Sequence, residues 1–110
     1  MAAGGGMSKL GDFESGHDCW FPVPVVTGSD NVMVNKIPAV KVGDVTSIHT
    51  CGEKPPHPDK CVKGSLTVFV NKKNSMRIGD LLSGGAVMAQ GSHSVIAGGW
   101  VLWYNIKVNR

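Results

Sequence analysis

The sequence predicts an all-β domain assembled from repeated β-hairpins. A 17-residue segment, Gly28 to Asp44, returns 36 residues later as Gly64 to Asp80. Both copies open with Gly-Ser, continue as Val-x-Val-Asn-Lys and close with Gly-Asp. Self-similarity at a fixed offset is typical of a repeated structural unit. Short runs of β-branched residues bounded by turn-forming residues, with little helical periodicity, favour strands over helices within each unit.

Each copy is interpreted as one hairpin. The Asn35-Lys36 and Asn71-Lys72 steps suit the hairpin tips, because asparagine accepts a positive φ more readily than most residues. The glycines at both ends of each copy provide the backbone conformations that turns require.

Two fragments of the repeat occur outside the complete copies. One begins at Gly91 with Gly-Ser-x-x-Val, and the other is an isolated Gly11-Asp12 pair, the ending of a copy whose first half is missing. Residues 1–8 are rich in alanine and glycine and are expected to form a flexible N-terminal extension. Residues 9–99 then make up one folded domain, which suits a chain of 110 residues.

The remaining segments are interpreted from their prolines and apolar residues. Two prolines within the apolar run Trp20 to Val26 predict an edge strand or an irregularly paired one. Residues 45–60 contain three prolines and no apolar period, which predicts a loop. Residues 100–110 alternate apolar side chains, which predicts a strand or tail that either covers the domain's own core or contacts another chain.

Composition limits the classes of function. A net charge of +3, with basic residues scattered along the chain, argues against nucleic-acid binding. Aromatic residues make up 6% of the chain and glycines number 15, so the apolar core is small and needs a cross-link or a partner surface. No apolar run has the length of a transmembrane helix, and no signal peptide is recognisable. The protein is therefore expected to stay in the cytoplasm until assembly, or to leave by a route without a cleavable signal.

Three histidines near cysteines predict a metal site. The motif Gly-Asp-x4-His-x-Cys occurs twice and contains His17 with Cys19 and His49 with Cys51. If the units surround a common axis, both histidines face one point, and His57 begins a strand at the same end. Imidazole and thiolate are good ligands for Zn²⁺, and four of them form a closed structural site. The alternative is that the histidines are ordinary polar residues of loops.

The sequence leaves the fourth ligand open among the cysteines. Cys61 lies about 13 Å from His57 along an extended strand, beyond the reach of a shared ion. Cys51, in the loop between His49 and His57, is the preferred ligand, and Cys19 is the second choice. Three cysteines, each near a histidine, favour metal binding over a disulfide framework. Buried thiols that act as small hydrophobic side chains are the alternative.

Residues 9–99 resemble the PAAR-repeat family of small conical proteins, which sharpen the spike of contractile injection machines: phage tails and the type VI secretion system. The Gly-Ser-x-x-Val-x-Val-Asn unit is present twice in full, and the name-giving Pro-Ala-Ala-Arg stands here as Pro38-Ala39-Val40-Lys41. The segments around His17 and from Ile48 to His57 are similar to the family's metal-bearing loops. The resemblance implies a conical fold with pseudo-threefold symmetry, formed by one chain, with a metal ion near its apex.

The resemblance also implies the identity of the metal and its ligands. Family members hold one structural zinc ion with three histidines and one cysteine, which carries over to His17, His49 and His57; iron is the alternative metal. The family's usual cysteine after the last Gly-Asp is replaced here by Gly84. One of the cysteines discussed above, Cys51 first, or a water molecule is therefore expected to complete the site.

The function implied by the resemblance is mechanical. One copy of the chain would cap a trimeric β-helical spike protein and help it to pierce a target cell membrane, which it contacts only transiently. It would be a non-catalytic tip without a small-molecule substrate. Its place would be the tail tip of a phage virion, or the tip of a type VI spike that is exported from the bacterial cytoplasm.

Two alternatives come from other classes of function. A zinc hydrolase with an open metal site would need a general base, and the carboxylates considered for it, Asp18 and Glu53, have no evident orienting partner. A family member with a fused toxin would need a further domain, for which the 11 residues after Gly99 are expected to be too few. A separate effector could still bind to those residues.

Overall fold

The computed structural model describes residues 5–98. Residues 1–4 and 99–110 lie outside the described residues, and with them lies the strand or tail predicted for residues 100–110. Within the described part, no helix is long and apolar enough to cross a lipid bilayer.

The described chain consists of short antiparallel strand pairs. The strands are β1 (Gly5–Gly6), β2 (Met33–Val34), β3 (Ile37–Pro38), β4 (His49–Cys51), β5 (Lys54–His57), β6 (Phe69–Val70), β7 (Lys73–Asn74) and β8 (Ile96–Ala97), with one 3₁₀ turn at Ser83–Gly85. They pair as β1–β8, β2–β3, β4–β5 and β6–β7. The predicted all-β class is confirmed.

Both complete repeats fold into hairpins with two-residue tips. The tip residues Asn35 and Lys36 have φ values of 53° and 70°, and Asn71 and Lys72 have values of 52° and 69°. Two successive positive φ values are the mark of the turn that best matches the twist of paired strands. Asparagine at the first of these positions lowers the cost of that conformation, which explains why the Asn-Lys step recurs.

A third unit is closed from the two ends of the described chain. Strand β8 pairs with β1 so that Gly5 lies opposite Ala97 and Gly6 opposite Ile96. The fragment that begins at Gly91 and the Gly11-Asp12 ending are thus two pieces of one hairpin unit. Residues 5–8 therefore differ from the flexible extension expected for residues 1–8: they supply the return strand.

The three units surround an axis. Backbone hydrogen bonds form a closed ring in which Ser8 N–H donates to the Met76 carbonyl (2.9 Å), Met76 N–H to Val40 (3.0 Å) and Val40 N–H to Ser8 (3.0 Å). These residues occupy the same position in their units. Each unit also contains one ion pair of the same form: Lys9–Asp12, Lys41–Asp44 and Arg77–Asp80. The predicted pseudo-threefold arrangement within one chain is confirmed.

Two small apolar clusters lie on either side of this ring. One is formed by the hairpins and contains Met7, Val34, Ala39, Val70 and Ala97. The other contains two ring residues together with residues within or directly after the segments that join the units: Val25, Val40, Cys61, Met76, Leu82, Ala86 and Met88. We call the joining segments, residues 13–24, 45–60 and 81–87, the first, second and third connectors. The connectors form the end of the molecule opposite the hairpins.

The connectors differ in part from the sequence predictions. The second connector was predicted to be a loop, yet it contains the β4–β5 hairpin, in which His49 lies opposite His57 and a bulge precedes Cys51. Its prolines are tolerated because β5 pairs on one side only. In the run Trp20 to Val26 the structure has isolated bridges instead of a continuous strand, which fits the irregular pairing predicted from its prolines.

Candidate metal centre

The first and second connectors bring three histidines and one aspartate to a single point. The side chains are those of His17, His49, His57 and Asp59, and one nitrogen or oxygen atom of each lies within 4.8 Å of the corresponding atoms of the others. The histidine ring centroids are 5.0 Å (His17–His49), 5.3 Å (His17–His57) and 4.7 Å (His49–His57) apart. The structure thus brings together the three histidines that the sequence analysis placed at one site.

A tight turn in the first connector positions His17. Backbone hydrogen bonds run in both directions between His17 and Trp20, at 3.0 and 2.8 Å. Gly16 has a φ of 77°, and a Cβ atom there would lie 2.7 Å from the Trp20 carbonyl, so the turn requires glycine. The Trp20 ring packs 5.1 Å from the ring of His17 and 4.9 Å from that of His57.

The β4–β5 hairpin positions the other two histidines as a cross-strand pair, which places both side chains on one face. His49 is fully buried, and its Nδ1 lies 2.8 Å from the Phe21 carbonyl oxygen. Since a carbonyl can only accept, Nδ1 carries a proton, and Nε2 is the ring nitrogen that could bind a metal. That buried Nε2 has no hydrogen-bond partner among the described residues. A histidine whose second nitrogen is held by a carbonyl is the usual arrangement in metal sites.

Asp59 is the member of the group that the sequence analysis missed. Its side chain is fully buried, with Oδ1 3.3 Å from His17 Nε2 and Oδ2 3.4 Å from His49 Nε2. Oδ2 has no hydrogen-bond partner within residues 5–98. Taking a carboxylate out of water without a counter-charge is strongly unfavourable. His49 Nε2 and Asp59 Oδ2 thus lie 3.4 Å apart without a hydrogen bond, and a cation bound between them would compensate the charge of the carboxylate.

The repeat shows how unusual this carboxylate is. Thr46 N–H donates to the Asp59 carbonyl, and the equivalent bonds in the other connectors end on Val23 and Ala86. Both of those residues are apolar and buried. The position is thus a core position of the unit, and only the second connector fills it with an acid. In the sequence, the neighbours Pro58 and Lys60 made Asp59 resemble a surface residue. The available signal was its position within the repeated unit, which is apolar in the other two connectors.

A second buried acid lies beside the group. Glu14 is fully buried, and its Oε1 accepts a hydrogen bond from Gly16 N–H at 2.5 Å. Burial raises the pKa of Glu14 to about 8, and the neighbouring Asp59 carboxyl adds to the rise. Burial and the neighbouring carboxyl thus favour the protonated form of Glu14.

The structure differs from the predicted ligand set at Cys51. The Cys51 sulfur is bonded to that of Cys19, with the two Cα atoms 5.3 Å apart, so it is not a thiolate ligand here. The repeated Gly-Asp-x4-His-x-Cys motif explains the pairing: if its histidines converge, the cysteines two residues further on converge as well. The expectation of metal binding in place of a disulfide missed this consequence. Cys61 is buried in the apolar core, where burial raises its pKa to about 12.

The third connector contributes space. A Cβ atom at Gly84 would lie 2.8 Å from His17 Nε2 and 3.3 Å from Asp59 Oδ1. A side chain at this position would thus point into the group of four residues, and the glycine leaves that room to the Asp59 carboxylate.

Three imidazoles and one carboxylate make a complete set of ligands for a first-row divalent cation. All four come from the protein, which is the pattern of a structural site, whereas catalytic sites keep a position open for water. The candidate general bases Asp18 and Glu53 are both exposed to solvent. The geometry therefore suits a metal that holds the connectors together.

The profile of the PAAR motif family matches residues 16–90. The matched segment covers more than half of the chain and includes all four residues of the candidate metal centre. Comparison with curated proteins gave no significant match. The family is associated with the spike tips of contractile injection systems. On the family match, the ring of three equivalent units and the cluster of histidines at the connector end, this chain belongs to the PAAR motif family.

Proposed function

We propose that this protein is a metal-stapled, non-catalytic tip that caps the trimeric β-helical spike of a contractile injection machine. The observation that carries the proposal is an exposed apolar side chain at one equivalent position of each hairpin. These residues are Met33, Phe69 and Ile96, which are 50%, 55% and 59% exposed. Large apolar side chains in a repeated exposed arrangement are typical of interaction surfaces.

The symmetry of this surface determines the kind of partner. A trimer with threefold symmetry presents three identical patches at its end, and a cap that meets all three needs three similar patches of its own. Here one chain supplies them, so one copy per trimer is expected. The hairpins are two-stranded, and unpaired strand edges can add to the open strands at the end of a β-helix.

The proposed metal is one zinc ion, with iron as the alternative, bound by His17, His49, His57 and Asp59. Bound there, the ion would supply charge compensation for Asp59 and a cross-link between the first and second connectors. The connector end has a small apolar core, so a cross-link of this kind is a major source of its rigidity. A rigid narrow end is what transmits force to a membrane that the tip contacts only transiently.

The proposed location follows from this function. The protein would lie at the tail tip of a phage virion, or on a type VI spike that carries it out of the bacterial cytoplasm. No nucleic acid and no small-molecule substrate take part in either case.

Co-purification with the trimeric spike protein of the same machine tests the docking proposal. Wild-type protein is expected to bind with a stoichiometry of one chain per trimer. A triple variant, Met33→Asp, Phe69→Asp and Ile96→Asp, is expected to lose binding while keeping its melting temperature. Val26→Asp, which changes an apolar residue that is 49% exposed outside the hairpins, is the matched control and should still bind. Equal binding by the triple variant and the control would refute the proposed docking face.

A further inference from the structure

The Cys19–Cys51 disulfide joins the two connectors that supply every residue of the candidate metal centre. Each cysteine lies two residues beyond a histidine of the centre, His17 or His49. We propose that this disulfide is a thiol–disulfide exchange site for low-molecular-weight thiols and that its redox state sets the rate at which the metal leaves. The second half of the proposal rests on the proposed metal centre.

The backbone geometry suits a disulfide that can open and close again. The Cα atoms are 5.3 Å apart, within the usual range for bridged cysteines, so the thiols remain neighbours when the bond is broken. Cys51 is anchored on the β4–β5 hairpin opposite Lys54, whereas Cys19 lies in the tight turn between His17 and Trp20. Both positions are fixed by backbone hydrogen bonds that do not depend on the sulfur atoms.

Accessibility assigns the direction of attack. Cys19 is exposed to solvent, whereas Cys51 is buried at 7% exposure. Exchange requires a thiolate to approach one sulfur of the bond in line with the other. An external thiol therefore reaches the Cys19 sulfur, and the Cys51 sulfur is the leaving group.

The reaction balances with two external thiols. The first thiolate forms a bond to Cys19 Sγ, the Cys19–Cys51 bond breaks, and Cys51 leaves as a thiolate that takes a proton from water. The second thiolate attacks the sulfur that was added, which releases an external disulfide and the Cys19 thiolate, and this thiolate also takes a proton from water. The protein gains two electrons and two protons, and the external thiols are oxidised. A low-molecular-weight disulfide reverses the sequence and closes the bond.

The link to the metal follows from which segments the disulfide joins. His17 belongs to the first connector, and His49, His57 and Asp59 belong to the second. Loss of the ion requires these two connectors to separate, and the disulfide prevents that separation close to the ligands. In the dithiol form, the two connectors are still joined near the site by the hydrogen bond from His49 to the Phe21 carbonyl, the contact between His17 and Asp59 and the packing of Trp20 against His57, but the covalent cross-link is gone. Metal release is therefore faster in the dithiol form.

The test uses zinc-loaded wild-type protein, oxidised or treated with a phosphine reductant. Alkylation followed by peptide mass analysis is expected to modify Cys19 in the folded, reduced protein and neither Cys19 nor Cys51 in the oxidised protein. Transfer of zinc to a chromogenic chelator is expected to be about tenfold faster after reduction, because the cross-link restrains a long loop. The melting temperature is expected to fall by about 10 °C.

The controls separate the disulfide from other effects of reduction. Cys61→Ser removes the buried unbridged thiol and should leave the response to reductant unchanged. A Cys19→Ser, Cys51→Ser double variant should release zinc as fast as reduced wild-type protein does, both with and without reductant. Alkylation of Cys19 in the reduced protein only after unfolding, or equal zinc release in both redox states, would overturn the proposal. If the protein binds no metal, the metal half of the proposal falls together with the proposed centre. The alkylation pattern and the change in melting temperature on reduction would then still decide whether the exchange site exists.

Discussion

A single side chain, Asp59, distinguishes this metal centre from the one implied by the family resemblance. The three histidines were expected, but a cysteine or water was expected as the fourth ligand. The structure has a buried carboxylate in contact with two of the histidines, and a glycine at the position of the family's cysteine. The carboxylate comes from a position that is apolar in the other two connectors, so it is unfavourable without a cation and favourable with one.

Replacing Asp59 by alanine is expected to have opposite effects with and without metal. Zinc affinity should fall by at least about 100-fold, because one of four ligands is lost. After chelation, the variant should melt at a higher temperature than metal-free wild-type protein, because a buried carboxylate without a compensating metal ion has been removed. Chelator competition and calorimetry measure the two quantities. Asp18→Asn is the control, because it removes an exposed acid of the first connector and keeps a side chain that tolerates the φ of 51° at this position. A metal-free variant that is less stable than metal-free wild type would contradict this account.

Cys61 differs from the exposed Cys19 in that its burial makes the thiol unreactive. Burial raises its pKa from the ordinary value of 9.0 to about 12, and the nearby Asp44 carboxylate adds to the rise. Because the folded-state pKa is the higher one, the associated stability is present below pH 9 and is lost as the pH rises towards 12.

We therefore expect Cys61 to resist iodoacetamide at pH 9 in the folded protein and to react at once in urea. Mass analysis of the peptide that contains Cys61 measures this. Cys19 in the reduced protein, which is exposed, is the internal reference and should react under native conditions. Equal rates for the two thiols would show that the core around Cys61 opens readily.

The hairpins show how far local sequence patterns reach. The complete units were predictable because strand and turn residues lie together within 17 positions, and the tips have the φ values that Asn-Lys suggested. The two fragments of the third unit were recognised, but their joining into one hairpin was missed because its strands come from Gly5–Gly6 and Ile96–Ala97, at opposite ends of the described chain. An alanine- and glycine-rich segment also has the composition of a flexible tail. Here, glycine is required by close packing.

Gly6 tests this explanation. A Cβ atom at Gly6 would lie 2.1 Å from the Ser92 carbonyl oxygen, which is backbone and cannot move aside easily. Gly6→Ala is therefore expected to destabilise the protein by at least about 2 kcal/mol in urea unfolding. At Gly5 the nearest atom to such a Cβ would be the Ile78 carbonyl oxygen at 3.3 Å, so Gly5→Ala is the matched control, with a cost below about 1 kcal/mol. Similar stability of the two variants would mean that β1 is not firmly paired.

The connectors mark the limit of reasoning from the repeat. Their motif correctly suggested that His17 and His49 face one another, yet the same offset applied to Cys19 and Cys51 and predicted their pairing equally well. Preference for thiolate as a metal ligand outweighed this geometry in the sequence analysis. His57 was placed at the same end in the sequence analysis, but Asp59 required knowledge that the proline-rich second connector turns back on itself as a hairpin, which no local pattern indicated.

The pseudo-threefold symmetry of the whole molecule extends to side chains that link neighbouring units. Ser29 donates to the Asn71 side-chain carbonyl at 2.6 Å, and Ser92 donates to that of Asn35 at 2.5 Å. The equivalent Ser65 donates to the backbone carbonyl of Gly98, because the third unit has glycine where the others have asparagine. Two of the three links are therefore made by side chains and one by backbone.

If the units are equivalent, Asn35→Gly and Asn71→Gly should have equal effects. Glycine keeps the positive φ of the tip, so each change removes only side-chain hydrogen bonds and should cost about 1 kcal/mol. The double variant should lose the sum, because the two links lie in different interfaces between units. Lys36→Gly, at the adjacent tip position with a φ of 70°, is the control and should not destabilise the protein. Urea unfolding measures all four variants. Unequal single effects, or a double effect well beyond their sum, would show that the links between units do not contribute equally to stability. The symmetry of the chain would then be confined to its backbone.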